Sequence, residues 1–223
     1  MKNEREKNTP PAERILVAAM EVFAAQGFAG GTMEAIASRA GVNKAAIYYH
    51  VGGKAALYET VLRRFFGRTA DVLEAAVDGA PDAASGMSAL IASVSAQFRD
   101  NPSLPRIMMH EWARYGASLS EGVLLELGRL LRCTQKALKR GVAEGVFRET
   151  PVWPLHLAIV GPMLLFSVTR EVRARVSSHP AAADLRLIMS FDEMSRALTG
   201  ILLGSLTAPA AGARRTAQAE NTP

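Results

Sequence analysis

TMEAIASRAGVNKAAIYYHVGGKAAL, residues 32–57, carries two short apolar stripes on either side of one glycine. Met33, Ile36, Ala37 and Ala40 recur at the spacing of one helical face, which predicts a two-turn helix with its apolar side turned inward. Thr32 suits the cap position, and Glu34 in the first turn favours the helix dipole. Gly41 stops the helix, because a left-handed residue carries little penalty without a Cβ. Asn43 can cap a second helix, and Val42 before it can pack on Ile47 as a hydrophobic staple. Two short helices joined by a tight glycine turn are a helix-turn-helix.

With Val42 and Ile47 facing inward, Lys44, Ala45, Tyr48 and Tyr49 fall on the outer side, with His50 at the helix end. Small residues let such a helix enter the major groove, while tyrosine hydroxyls and a lysine can reach phosphates. His50 can donate to a base edge or a phosphate. The same pattern admits another reading, in which Tyr48 and Tyr49 are half-buried supports for the next helix, since tyrosine is intermediate in burial.

Outward from this stretch, spacings of three and four recur along almost the whole chain, so the expected fold class is all-α, with about nine helices. Residues 1–9 form a charged arm. Residues 10–53 form a three-helix DNA-binding head, whose first helix starts near Thr9, Pro10 and Pro11, uses Ile15, Leu16, Ala19, Val22 and Phe23, and ends at Gly27. Residues 54–206 form a larger helical body, to which the resemblance described below assigns effector binding and dimerisation. Its fourth helix begins near Gly53 or Lys54 and uses Leu57, Val61, Phe65 and Leu73; a fifth carries Met87, Leu90, Ile91, Val94 and Phe98. A sixth spans about 105–115, a seventh about 120–145, and an eighth about 151–175 with Pro162 as its kink. The ninth sets Leu187, Phe191, Met194, Leu198 and Ile201 in a heptad-like seam. Residues 207–223 lack large apolar side chains and are expected to form a disordered tail.

Charge is uneven. Residues 1–68 hold ten Lys and Arg against six Asp and Glu, whereas the remaining 155 hold 16 against 15, so the basic excess surrounds the helix-turn-helix and points to an anionic partner there. Cys133 is the only cysteine, which rules out an intrachain disulfide and a cysteine-based zinc cluster and suits a reducing compartment. The charged N-terminus has no apolar signal region, and the most apolar run, 155–168, is too short to span a bilayer. A cytoplasmic protein without a membrane partner is expected.

No paired Glu-x-x-His, H-E-x-x-H, P-loop or glycine-rich nucleotide motif occurs, and Cys133 among Leu130, Leu131 and Leu138 reads as a packing residue. The expectation is therefore not an enzyme, with no catalytic residues, no metal and no cofactor.

Residues 32–57 resemble the DNA-binding signature of the tetracycline-repressor-type (TetR) family of bacterial transcription regulators. The likeness rests on Thr32, Ile36 with Ala37, Ala40 with Gly41 and Val42, Tyr48 with His50 and Val51, Lys54 and Leu57. It is strong over about 12–60 and otherwise rests on length and helix count. Gly53 and Ala55 depart from the pattern, where a Ser/Asn-like cap and a first-turn acid are usual, leaving the fourth helix with weaker local support.

The resemblance implies a repressor that binds a palindromic, double-stranded operator as a homodimer and is released by a small, largely apolar effector. Thr32, Tyr48, Tyr49 and Lys54 would hold the DNA backbone, and Asn43, Lys44, Ala45, Ala46 and His50 would lie near base edges. An effector pocket would draw on Phe98, Met108, Met109, Trp112, Leu127, Leu131, His156, Met163 and Phe166, with Arg106, His110 and Glu111 among the polar candidates. The dimer interface would use the seam Leu187, Phe191, Met194, Leu198 and Ile201. Three readings stand beside these: Lys54 as a solvated surface charge, the seam as intrachain core, and the chain as a helical ligand-binding or interaction protein with a vestigial DNA head.

Overall fold

The computed structural model describes residues 10–182 and 184–208, and among these the fold is all-helical, with ten α-helices and one 3-10 turn. The expected arm at 1–9 and all but the first two residues of the expected tail lie outside the described residues. The head comprises α1 (Pro11–Gly30), α2 (Met33–Ala40) and α3 (Lys44–Val51). The body follows as α4 (Lys54–Asp78), α5 (Ala83–Asp100), α6 (Ser103–Trp112), α7 (Glu121–Ala143), α8 (Val152–Val168), α9 (Arg170–Ser177) and α10 (Phe191–Leu206).

Local chemistry explains most boundaries. Pro11 opens α1 where its missing N–H is no loss. The regular helix breaks at Gly27, with φ 67° and ψ 177°, before one more turn to Gly30. Asp82 and Ser120 cap α5 and α7 by accepting from Ser85 N and Val123 N. Helix α4 has no side-chain cap, as Gly53 suggests.

Three boundaries differ from expectation. The eighth helix is not one rod kinked at Pro162: Pro162 lies within α8, and the chain bends by 66° between α8 and α9. Thr169 Oγ1 donates to Leu165 O at 2.6 Å, and Arg173 Nη1 donates to Phe166 O at 2.5 Å, so side chains take over carbonyls that the break frees. The last helix starts at Phe191, leaving Leu187 in the preceding loop, because Ser190 and Glu193 form a reciprocal capping box there. Thr207 and Ala208 do not open a loose tail: Thr207 bridges Phe147, and Ala208 N donates to Val146 O at 3.0 Å.

Helix α4 is the shared support, packing on α1, α5 and α7, while α6 lies against α1 and α10 against α5. One apolar core runs from Ile15 and Phe23 in the head, through Leu57, Tyr58 and Leu62 on α4, to Met87, Ile107, Ile159 and Leu202 in the body. Arg129 on α7 clasps α4 from outside through Asp71 at 2.8 Å and Glu74 at 3.1 Å. No single helix among the described residues is long and apolar enough to cross a membrane.

The α7–Phe147 junction leaves no room for a side chain at Gly141, where an added Cβ would collide with the Phe147 ring. At Gly128 an added Cβ would meet only the end of Arg132, at 3.5 Å. Gly141→Ala is expected to destabilise the protein by about 1–3 kcal/mol through overpacking. Gly128→Ala is expected to stabilise it by up to about 1 kcal/mol through helix propensity. Urea unfolding of the two variants beside wild type checks both signs; equal midpoints would refute this account of the α7 end.

Candidate nucleic-acid interface

The head builds a rigid outward helix from three capping interactions. Thr32 Oγ1 accepts from Ala35 N at 3.1 Å and starts α2. Gly41 turns in the left-handed region, φ 62° and ψ 40°, and Val42 N donates to Ala37 O at 3.1 Å to close the turn. Asn43 Oδ1 accepts from Ala46 N at 2.7 Å and starts α3 at once. With Ile47 fully buried and Val42 and Val51 packed on the core, the rotation of α3 about its axis is fixed.

That rotation leaves Asn43, Lys44, Ala45, Tyr48, Tyr49 and His50 exposed and Ala46 half-buried. Tyr49 is 86% exposed, so it supports no neighbouring helix; its ring meets only His50 edge-on, with centroids 5.3 Å apart. Tyr48 is 49% exposed, its ring near Lys44 Nζ. The surface is thus small at its centre, aromatic and hydrogen-bonding at its end, and short enough for a DNA groove.

Two lysines are engaged within the head. Lys44 pairs with Glu34 across the turn, and the partnership holds the Glu34 carboxyl below its ordinary range, chiefly through the side-chain hydrogen bond, while raising Lys44. Lys54, expected as a backbone contact or a solvated charge, donates to Ala29 O at 3.0 Å and lies 4.8 Å over the Phe28 ring. It therefore ties the start of α4 to the end of α1, which offsets the weak local start that Gly53 and Ala55 give that helix.

The expected effector residues differ in exposure. Phe98, Met108, Met163 and Phe166 are buried, Leu127, Leu131 and His156 are half-buried, and Met109 and Trp112 are exposed. His156 shares a 2.9 Å hydrogen bond with Thr134, and burial lowers its pKa, so the neutral ring is favoured. Two open grooves exclude all nine. One, of about 410 Å³, runs between α1 and α4 beside the end of α5, with Leu16, Met20, Phe65 and Arg68 in its walls. The other, of about 690 Å³, lies where α7 meets the start of α8. Glu111, a polar candidate in the sequence, is fully buried and accepts a 2.6 Å hydrogen bond from Tyr58. A buried acid on a helix of ten residues has no periodic signature of its own, although its place on the apolar stripe with Leu104, Ile107 and Met108 is readable.

Of the expected dimer residues, Leu198 is buried within the chain, Phe191 and Met194 pack partly against the same core, and Leu187 is half-buried in the loop. Only Ile201 stands out, at 69% exposure. The seam therefore serves mainly as intrachain core, because its 4-3 spacing meets α5 and α8. Ile201 continues an open apolar stripe that the expected seam did not include: Trp153, Leu157 and Leu165 on α8, with Ala197, Gly200 and Gly204 on α10. A helix face period could have revealed this second stripe, but not which of the two the body would cover.

Residues 15–61 match the family model described as bacterial regulatory proteins, tetR family. The HTH-type transcriptional regulator SrpR of Pseudomonas putida is 46% identical over 50 residues, 22% of this chain and 24% of that protein. The HTH-type transcriptional repressor NicS of Pseudomonas putida is 27% identical over 139 residues, 61% of this chain and 66% of the relative. The chain thus spans from about a quarter to just under two thirds of the length of these curated relatives. The whole-chain likeness is one of fold: the structure of the fatty acid degradation regulator FadR from Bacillus halodurans aligns with a TM-score of 0.71 at 19% identity, covering 89% of this chain and 97% of FadR.

The Glu34–Lys44 pair gives the head a pH signature. Because the Glu34 pKa is depressed, its contribution is present above the ordinary carboxylate pKa and is lost as pH falls through the folded value. Lys44→Ala is expected to raise the Glu34 pKa toward the ordinary range, with the backbone hydrogen bond at Glu34 still holding it down, read by carboxyl NMR titration. A Glu34 titration that Lys44→Ala leaves in place would show the pair to be unformed in solution.

Proposed function

We propose, from a head of the tetR regulator type, that this chain is a DNA-binding transcription regulator, a ligand-responsive repressor that binds a palindromic operator as a homodimer and acts without catalysis in the cytoplasm. The observation that carries the reading is the outward helix α3, fixed by Asn43 and Ile47 and presenting Lys44, Ala45, Tyr48, Tyr49 and His50 within a segment that matches the family model. In this reading His50, Asn43, Lys44, Ala45 and Ala46 face base edges, with the alanines offering only apolar contact such as to a thymine methyl. Thr32, Tyr48 and Tyr49 hold phosphates. Lys54 keeps two hydrogens for a phosphate while its third stays on Ala29.

The open stripe on α8 and α10 supports a two-fold interface formed by these two helices from each copy. Gly200 and Gly204 have no atom within 4 Å of an added Cβ, so a partner backbone can approach them closely. Pairing then sets two heads on half-sites about 34–36 Å apart, or a multiple. In the same reading the head is residues 10–53 and the body residues 54–206, which binds a small, largely apolar effector and dimerises. The effector must favour the geometry that does not fit the operator, since equal affinity for both shifts nothing.

Fluorescence anisotropy with duplex from immediately upstream of the chain's own gene, against a scrambled duplex and across a salt series, tests the reading. Preference for the native duplex by about 10³ or more is the expected result. Equal binding by every duplex selected from a random library would favour a vestigial head. Lys54→Ala is expected to weaken binding to all sequences alike and to lower the salt slope by about one. His50→Ala is expected to relax preference at one position of each half-site; an unchanged preference would remove His50 from the base-reading set.

A further inference from the structure

Among the described residues, Glu111 is the one Asp or Glu that is buried, at 0% exposure. It stands in the last turn of α6 and is the hub of a small polar network inside an apolar core. Oε1 accepts from the Tyr58 hydroxyl at 2.6 Å, and Oε2 accepts from Ser118 N at 3.3 Å. Its backbone carbonyl accepts from Gly116 N at 2.8 Å and Arg114 N at 3.0 Å. One residue thus gathers the turn at 113–119 around itself. That turn is strained: Tyr115 has φ 57°, in the left-handed region that favours glycine, with its side chain fully exposed.

The other end of the hydrogen bond lies on α4, where that helix packs against the head. Tyr58 is one turn into α4, and its buried ring carries Phe23 edge-on at 4.8 Å and Phe28 at 4.9 Å. Lys54 then covers Phe28 and holds Ala29 O. Beside the pair, α1 rests directly on α6: an added Cβ at Gly27 would come within 3.2 Å of the His110 ring. Tyr58–Glu111 is therefore a buried polar contact between the helix that carries the head and a helix of the body. A carboxyl group so enclosed is costly to leave without its donors, so the hydrogen bond constrains how α4 can lie against α6.

We propose that Glu111 is the positioning residue of the DNA-reading head: through Tyr58 it fixes the angle of α4 against α6, and it ties that angle to the turn at 113–119. The inference rests on the dimeric regulator reading above. In a dimer, an angular change at α4 is carried to both heads and alters their separation. Base pairs are spaced by about 3.4 Å and turned by about 34°, so a small angular freedom is read as tolerance for wrong half-site spacing.

The test uses full-length protein and duplexes carrying the half-sites that wild type selects from a random library, with their spacing changed one base pair at a time. Wild type is expected to prefer one spacing by about ten-fold or more, comparable with one mismatched base pair. Tyr58→Phe, which removes only the hydroxyl, is expected to compress that preference to within about three-fold, with helical content and salt slope unchanged. Glu111→Gln keeps a carbonyl to accept from Tyr58 but turns its NH2 toward the Ser118 N–H, so it is expected to retain the wild-type spacing preference while the turn at 113–119 loosens, read by faster amide hydrogen exchange there. The double variant Tyr58→Phe with Glu111→Leu replaces both partners by apolar groups and guards against an unfolded single variant; it is expected to match Tyr58→Phe. A purely structural pair would lower the melting temperature and leave the spacing preference intact, which would overturn the proposal. Wild type that selects no sequence would overturn the regulator reading together with this one. Wild type that selects, beside a Tyr58→Phe of equal spacing preference, would overturn this one alone.

Discussion

Helix α4 must satisfy two domains with one apolar face. Leu57 and Tyr58 in its first turns close the head, and Val61, Leu62, Phe66, Ala70, Leu73 and Val77 continue the same buried stripe into the body. Complete burial of a leucine such as Leu57 or Leu62 contributes about 1.5–3 kcal/mol, so the stripe as a whole outweighs the ~1 kcal/mol that a local cap supplies. That difference explains why α4 forms without a side-chain cap or a first-turn acid. It also means that the head cannot turn freely on a linker, since its lower surface is the first part of the body's core.

The head itself is governed by the economy of short helices. Two helices of eight residues are too short to stand by themselves, and Thr32, Gly41 and Asn43 satisfy their orphan backbone groups within the turn. Ile47 then fixes the orientation of α3, so Ala45, Tyr48, Tyr49 and His50 gain a defined direction from the helix that carries them. Charge acts more locally than composition suggests. Lys44 is shared with Glu34, and Lys54 with Ala29 O, so part of the basic excess holds the head together while remaining beside the exposed face.

The last third of the chain shows where periodicity fails to choose. Leu198 and Ile201 both sit on α10 at seam spacing, yet Leu198 enters the chain's own core and Ile201 stays outside. A spacing rule places residues on a face, but the face that α5 and α8 cover is selected by the path of the chain before α10. That path depends on the 66° turn between α8 and α9, held by Thr169 and Arg173, and on the Ser190–Glu193 box that sets the start of α10. The box is visible in the sequence as Ser-x-x-Glu; the bend is not, since Pro162 gives a more obvious but different place for it.

By itself the sequence determined the all-helical class, the two short helices across Gly41, their caps at Thr32 and Asn43, and the inward face of Ile47. These follow from interactions spanning at most a few residues, where periodicity and capping chemistry act directly. Tertiary structure decided that Lys54 reaches back to Ala29, that Glu111 is enclosed against Tyr58, and that Leu198 points into the core. Each of those joins residues far apart in the chain or selects one of two equivalent helix faces. Their outcome is set by packing geometry, which local spacing does not encode.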